Sequence, residues 1–163
     1  MISREHLLEI FKYDPDTGVF TRVKRTGSRS TALPVGWVDN TNGYPHVQIN
    51  GKKYAQHRVA FLYMTGRWPA NQIDHRDGDR TNNRWDNLRE ATNSQNSANR
   101  SVQSNNTFGR KGVYWHKGAR KWTASVCLNK KSIYLGLFAT ESEAAAAYEA
   151  KARELFGEFA KCG

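Results

Sequence analysis

The feature that most constrains this chain is a polar stretch in its middle, IDHRDGDRTNNRWDNLREATNSQNSANR, residues 73–100. It is dense in Asp, Asn and Arg, contains one His and has almost no apolar side chains. A surface loop can be polar without any function, so the stretch is either a loop or a site. The order of the residues within it favours a site.

The stretch is predicted to form a strand ending near Ile73, a tight polar loop, a second short strand around Leu88, and a helix capped by Thr92 or Asn93. If the two strands pair, this order brings four polar side chains close together: Asp74, His75, Asn87 and Asn96.

These residue types suit the hydrolysis of a phosphodiester. A His can take the proton of an attacking water, and one hard cation can neutralise the phosphate and the leaving oxygen. Mg²⁺ prefers oxygen ligands and keeps several waters, so one carboxylate and one amide oxygen suffice. Asp74 and Asn96 are therefore candidate metal ligands, and Asn87 can hold the His ring or the loop behind it.

Residues 57–100 resemble the HNH (ββα-metal) nucleases, above all the small phage and intron-encoded homing endonucleases with the pattern DH…DG…NN…NL…N. The resemblance implies that His75 is the general base, that Asp74 and Asn96 hold one Mg²⁺ (or Mn²⁺) ion, and that Asn87 supports the loop and the base. The last position is often His in that family. Asn96 stands there in this chain, which weakens any preference for zinc or nickel.

The resemblance implies a metal-dependent, site-specific DNA endonuclease of homing type. One such site cuts one strand at a time, so we expect nicking, and a double-strand break needs two visits or two subunits. The chain is expected to act as a monomer or dimer. The alternative is a non-catalytic, sequence-specific DNA-binding regulator built on a degenerate nuclease, although the intact Asp74-His75 pair argues against it. Charge alone does not exclude cleavage of RNA or of structured junctions.

The charge of the chain favours a nucleic-acid partner. The net charge is +10, and two basic flanks bracket a central segment in which acidic and basic residues balance. Such a charge is typical of proteins with a polyanionic partner, here double-stranded DNA, although a solubilising surface would look the same. The arginines around the site are expected either to clamp phosphates or to pair with Asp77, Asp79, Asp86 and Glu90; they are Arg76, Arg80, Arg84 and Arg89. His57 and Arg58 are candidates for a structural role or for phosphate contact.

The flank before the polar stretch is predicted to be β-rich over residues 1–55. It opens with a helix capped by Ser3, has two Asn-Gly turns at residues 42–43 and 50–51, and precedes a short buried helix ended by Gly66. This region either contacts DNA or braces the nuclease core. Six of its basic residues cluster on predicted strands and loops: Arg22, Lys24, Arg25, Arg29, Lys52 and Lys53.

The flank after it contains three alternating segments and then an Ala-rich helix with a Thr140–Glu143 capping box. Residues 110–160 resemble an APETALA2-type (ethylene-response-factor-like) DNA-binding domain, with anchors GV, KW.A, YLG.F and EAAAAYE. The resemblance implies that the sheet lies in the major groove. Trp122 and Phe138 are assigned to the core. The expected DNA-facing residues are Tyr114, His116, Lys117, Arg120, Lys121, Ser125, Cys127, Lys130, Lys131 and Tyr134.

We therefore expect an α+β protein with three parts: a β-rich extension at 1–55, a ββα-metal nuclease core at 56–104, and a linker plus three-stranded antiparallel sheet packed on one helix at 105–163. Two cysteines, Cys127 and Cys162, form no disulfide framework, and neither a signal peptide nor a membrane span is expected. These features favour an intracellular protein in the host cytoplasm that is not secreted, without a small-molecule cofactor.

Overall fold

The computed structural model describes residues 2–24, 31, 33–102, 106 and 109–161. Within these ranges the chain is an α+β protein whose strands form several small sheets. It divides into two compact units, Met1–Glu90 and Ala91–Gly163. No helix in the described ranges is long and apolar enough to cross a membrane. Arg25, Arg29 and Cys162, as well as most of the expected linker, lie outside the described residues.

The first unit is built from two helices and small sheets. Its elements are α1 (Arg4–Ile10), β1 (Phe11–Asp14), β2 (Val19–Arg22), β3 (Trp37–Val38), β4 (Pro45–Ile49), β5 (Lys52–Ala55), α2 (Gln56–Thr65), β6 (Gln72–His75), a short 3₁₀ helix (Trp85–Asn87) and β7 (Leu88–Ala91). Strands β1 and β2 form an antiparallel hairpin, β3, β4 and β5 an antiparallel sheet, and β6 pairs with β7.

Local signals fix the ends of these elements. The Ser3 hydroxyl accepts a hydrogen bond from the backbone of His6 and caps α1 as predicted. Asn50 and Gly51 both have positive φ, as the predicted Asn-Gly turn between β4 and β5 requires. Gly66 ends α2 in the left-handed conformation, also as predicted.

The core of the first unit joins its first helix and hairpin to α2 and β6. Leu7, Phe11 and Phe20 are almost fully buried, and they pack with Val59 of α2 and Ile73 of β6. Helix α1 ends at Ile10, because the chain becomes extended at Phe11 and starts β1 there. Within the helix Leu7 is buried, whereas Leu8 is 41% exposed.

The second unit contains α3 (Asn93–Asn99), β8 (Val113–His116), β9 (Lys121–Leu128), β10 (Lys131–Phe138), α4 (Glu141–Phe156) and a 3₁₀ helix (Gly157–Phe159). The three strands form an antiparallel sheet in the order β10-β9-β8. Thr140 and Glu143 form the predicted capping box at the start of α4. Alternation along β9 turns Ala124 and Val126 toward the alanines of α4.

Helix α3 belongs to this second unit. Ala91 and Ala98 pack in one cluster with Phe156 and Phe159, and the Lys111 ammonium donates to the Ala98 carbonyl at 2.6 Å. The division between the units therefore falls at Glu90/Ala91, before the boundary at 104/105 that the change in sequence style suggested.

Candidate functional site

The end of strand β6 carries the two central polar residues of the site. Along this strand Ile73, Asp74 and His75 are 4%, 3% and 4% exposed. A carboxylate and an imidazole that are both this buried require partners, because a buried polar group without one costs free energy. The partners of each define what the site can do.

The imidazole of His75 is held by Asn83. His75 Nε2 lies 3.1 Å from the side-chain oxygen of Asn83, which is itself 2% exposed. An amide oxygen only accepts hydrogen bonds, so Nε2 carries the proton and donates. In a neutral ring the other nitrogen, Nδ1, then has the lone pair. His75 can therefore accept a proton at Nδ1.

Burial keeps His75 in the neutral form. It lowers the pKa of His75 below the usual value for a histidine, against the opposing influence of Asn83 and Asp77. An imidazole that is neutral at physiological pH can serve as a general base.

Asn87 organises the loop between β6 and β7. Its side-chain oxygen accepts from the Asp77 backbone at 3.1 Å, and its amide donates to the Asp77 carboxylate at 3.0 Å and to the Asn82 carbonyl at 2.8 Å. Asp77 also accepts from the Asn82 side chain at 2.6 Å. These contacts belong to the loop, which is one of the two places where the sequence expected Asn87 to act.

The hairpin β1–β2 supports the same loop from the N-terminal region. The Tyr13 hydroxyl donates to the Asn83 carbonyl at 2.6 Å, and the Trp85 backbone donates to the Pro15 carbonyl at 2.9 Å. Gly18 has a φ of +74°, and a Cβ there would come within 2.4 Å of the Asn83 backbone. Part of residues 1–55 thus braces the loop, one of the two roles expected of this region.

Two further rings surround His75. The ring of His57 meets it edge-on with 5.3 Å between centroids, and the ring of Tyr44 lies 4.9 Å from His57 and 5.9 Å from His75. Nδ1 of His57 is buried without a hydrogen-bond partner among the described residues. Burial lowers the pKa of His57 to about 3, so this ring is also neutral.

Asp74 is paired with Arg89 of the neighbouring strand. The guanidinium Nε and Nη2 atoms both lie 2.9 Å from the same carboxylate oxygen, Oδ2. Arg89 is 8% exposed, so the pair is buried. Two charge-assisted contacts fix the orientation of the carboxylate and offset part of its charge.

The ligand pair that the sequence predicts, Asp74 and Asn96, would fit a hard cation better than zinc. Asp74 and Asn96 offer oxygen atoms, which Mg²⁺ and Mn²⁺ accept, and Mg²⁺ needs only one or two protein ligands beside water. The described residues contain no group of three or more His, Cys, Asp or Glu placed to hold a metal ion, as a structural zinc site would need. Asn96 itself lies on α3 and so in the second unit.

The predicted DNA-binding arginines differ in their surroundings. Arg58 donates to the carbonyls of Asn71 and Pro69 and so ties α2 to the segment before β6. Arg80 donates to the Asn42 carbonyl at 2.8 Å and lies 5.1 Å above the Tyr44 ring. Arg76, Arg80 and Arg84 are exposed. Arg58 therefore has structural contacts, and the other three lie at the surface near the loop.

The predicted outward residues of the second unit lie on the sheet face that points away from α4, or at its turns. Tyr114 and Tyr134 are 44% and 61% exposed. The strand register puts His116, Lys121, Ser125 and Cys127 on the same face. The turn residues are Lys117, Arg120, Lys130 and Lys131, all exposed. Trp122 and Phe138 pack with the α4 side, as expected.

Three residues around His75 were not assigned to the site by sequence reasoning. Asn83 is the second letter of the NN pair in the quoted pattern, which was a usable signal. His57 was noted only as a structural or phosphate-contacting residue. Tyr44 carried no signal, because its proximity depends on how the hairpin of β3 and β4 folds back.

Comparisons with known proteins show similarity to HNH endonucleases. Residues 54–98 match the family model described as HNH endonuclease. The chain is 36% identical over 130 residues to a protein of Acanthamoeba polyphaga mimivirus named as an uncharacterized HNH endonuclease, covering 76% of this chain and 64% of that protein. It is also 36% identical over 89 residues to Protein 3.8 of Escherichia phage T7, covering 55% of this chain and 73% of that protein. No solved structure matches.

Proposed function

We propose that the chain is a metal-dependent, site-specific DNA endonuclease of homing type, carried by a phage, that nicks one strand per event. The match of residues 54–98 to the HNH endonuclease family model supports the proposal. The observation that carries the proposal is the buried end of β6. There Asn83 holds the proton of His75 on Nε2 and leaves Nδ1 as a proton acceptor. The chain spans 64% of the length of the mimivirus relative, so the activity of the whole protein is a proposal.

In this mechanism His75 takes a proton from the attacking water at Nδ1. Asn83 keeps the ring in the required tautomer, and Asn87 keeps the loop that carries Asn83 in place through Asp77 and Asn82. One Mg²⁺ (or Mn²⁺) ion would be held by Asp74 and, by the sequence pattern, by Asn96, and would supply neutralisation of the phosphate and of the leaving 3′ oxygen. Arg76, Arg80 and Arg84 would contact phosphates next to the cut.

The C-terminal sheet would determine which DNA sequence the protein binds. The resemblance to APETALA2-type domains and the exposed turn lysines and arginines support major-groove binding by the face that carries Tyr114 and Tyr134. We propose three functional parts, at residues 1–55, 56–104 and 105–163. Helix α3 belongs to the second part by function, although it packs in the same unit as the C-terminal sheet. Duplex DNA is thus the proposed substrate of a monomer or dimer.

One observation favours the alternative, a DNA-binding regulator built on an inactive nuclease. Arg89 already occupies Oδ2 of Asp74 with two nitrogens. A carboxylate that is neutralised by a guanidinium has less charge to offer a cation, and a chain that had lost its metal would keep such a pair.

Cleavage of supercoiled plasmid and of a genomic DNA pool, with Mg²⁺ and with EDTA, distinguishes the two. For the endonuclease, His75→Ala lowers the rate by about 10²–10⁴-fold with DNA affinity unchanged, since the general base is lost. Asn83→Ala lowers it by about 10–100-fold, since the ring loses its orienting partner. His6→Ala, an exposed histidine on α1, is the matched control and leaves the rate unchanged.

Equal rates for His75→Ala and the parent would remove His75 from the mechanism. Tight DNA binding without metal-dependent cutting of either DNA would leave the regulator as the function. Nicked product that accumulates before linear product would support cutting of one strand per event.

A further inference from the structure

The face of the β8–β9–β10 sheet that points away from α4, here called the outer face, is apolar at its centre. The register pairs Tyr114 and Leu137 with Thr123 from either side, so the three lie in one row across the sheet. Tyr134, opposite Ser125, belongs to the next row. Alternation turns these residues outward, because Ala124 and Val126 between them point to α4.

Thr123, between Tyr114 and Leu137 in the register, is 0% exposed although it lies on the outer face. Tyr114, Leu137 and Tyr134 remain 44%, 41% and 61% exposed. The centre of the face is therefore a patch of exposed apolar and aromatic surface.

Cations stand at both ends of the patch. Lys117, Arg120 and Lys121 surround the turn before β9, and Lys130 and Lys131 form the turn after it, all exposed. An eight-residue strand separates these turns by roughly 26 Å. The acidic residues of this unit's long helix, Glu141 and Glu143 among them, belong to the layer behind the sheet. Two basic ends around an uncharged centre complement a polyanion such as DNA, and would repel a second copy of the same face.

We propose that the outer face reads thymine in the major groove of duplex DNA through contact of Leu137, Tyr114 and Tyr134 with the C5 methyl group. Base edges in that groove present hydrogen-bond donors, acceptors and one apolar group, the thymine methyl. Between the basic ends, the outward residues of the described strands include none of the Arg, Lys, Asn or Gln side chains that make bidentate contacts to G or A. The inference rests on the proposed DNA-binding function and names what that function recognises.

The test uses the full chain in EDTA, so that no DNA is cut. Binding sites are selected from a random duplex pool, and the enriched duplexes are then remade with deoxyuridine in place of thymidine, which removes only the methyl groups. The expected loss of affinity is about fourfold for each methyl group in contact. Leu137→Ser and Tyr114→Ser should each shrink the preference for thymine over uracil. Leu8→Ser is the matched control, since Leu8 is also 41% exposed but lies on α1 of the other unit.

Equal affinity for the two forms of the selected duplexes would overturn the inference and leave the DNA-binding function standing, as would selected sites without thymine. A thymine preference that survives both sheet variants would assign the readout to another surface. If Leu137→Ser instead converts a dimer to a monomer in sedimentation, the patch belongs to a second copy. Failure to bind any duplex would overturn the proposed function itself.

Discussion

Burial of an imidazole disfavours its charged form. The first unit contains two buried imidazoles whose rings are in contact, those of His57 and His75. For His75 the neutral state is useful, because a neutral imidazole can take up a proton. His57 has no such assignment, and its buried Nδ1 has no partner among the described residues. Its pKa of about 3 nevertheless has a consequence for stability.

We expect the free energy of unfolding to fall as pH is lowered from about 6.5, and His57 to account for much of the slope. Below the pKa of an unfolded histidine the unfolded chain takes up a proton that the folded chain refuses until about pH 3, so acid favours unfolding. Each such group contributes about 1.4 kcal/mol per pH unit in this window. Denaturant unfolding at pH 7, 6 and 5 measures it.

His57→Phe keeps a ring beside His75 and should flatten this dependence, leaving the smaller contribution of His75. The window above pH 4.5 separates the histidines from carboxylates such as Asp39, whose pKa is lowered to about 2, first of all by its hydrogen bond with Lys53. An unchanged slope in His57→Phe would mean that His57 is already accessible to protons in the folded chain.

At the residue scale, the sequence indicated which polar residues form the candidate site better than it indicated which residues contact them. Asp74 and His75 stand out because two polar groups follow a strand residue, and Asn87 because it precedes Leu88. The neighbours of His75 are another matter. Tyr44 and His57 come from elements many residues earlier, so their proximity depends on packing that no local pattern encodes.

The pairing of β6 with β7 is held by a buried ion pair as well as by backbone hydrogen bonds. Asp74 and Arg89 face each other across the two strands at 2.9 Å. For Arg89 the sequence left two roles open, phosphate clamping and pairing with Asp77, Asp79, Asp86 or Glu90. Strand register decides otherwise, since side chains on one face of paired strands meet regardless of separation in sequence.

Arg89→Met should lower the free energy of unfolding by about 3–5 kcal/mol, because it leaves the Asp74 carboxylate buried without its cation. Asp74→Asn in the same background should recover part of the loss. Arg67→Met, which removes the partner of the exposed Glu90 pair, should cost far less, since solvent screens that contact. Thermal and denaturant unfolding compare the three. A loss in Arg89→Met no larger than in Arg67→Met would show that water reaches Asp74.

Element boundaries were readable where a cap or turn marks them, as at Ser3, Asn50-Gly51, Gly66 and Thr140. The sequence did not indicate which core α3 packs against. The helix is polar apart from Ala98, so it has no apolar stripe that would identify its packing partner. The aromatic residues that receive it, Phe156 and Phe159, lie at the far end of the chain.

For the molecule as a whole, that affiliation changes what a truncation removes. Deleting residues 110–163 should abolish specific DNA affinity and leave weaker binding with a shallower dependence on salt, because the phosphate contacts of the lysines and arginines at the sheet turns would be lost. It should also abolish cleavage, because α3, which carries Asn96, loses the cluster around Phe156 and Phe159. Binding and cleavage measured across a salt series, with hydrogen exchange of residues 93–99, test this. Unchanged site choice in the truncated chain would put specificity in the first unit.

The bond from the Tyr13 hydroxyl to the Asn83 carbonyl spans 70 residues of chain. During synthesis the hairpin β1–β2 leaves the ribosome first, and at about 5–20 residues per second the segment around Asn83 follows some seconds later. That delay is long compared with the microseconds in which a hairpin forms. The hairpin β1–β2, on which the segment around Asn83 packs, can therefore form before that segment has been translated.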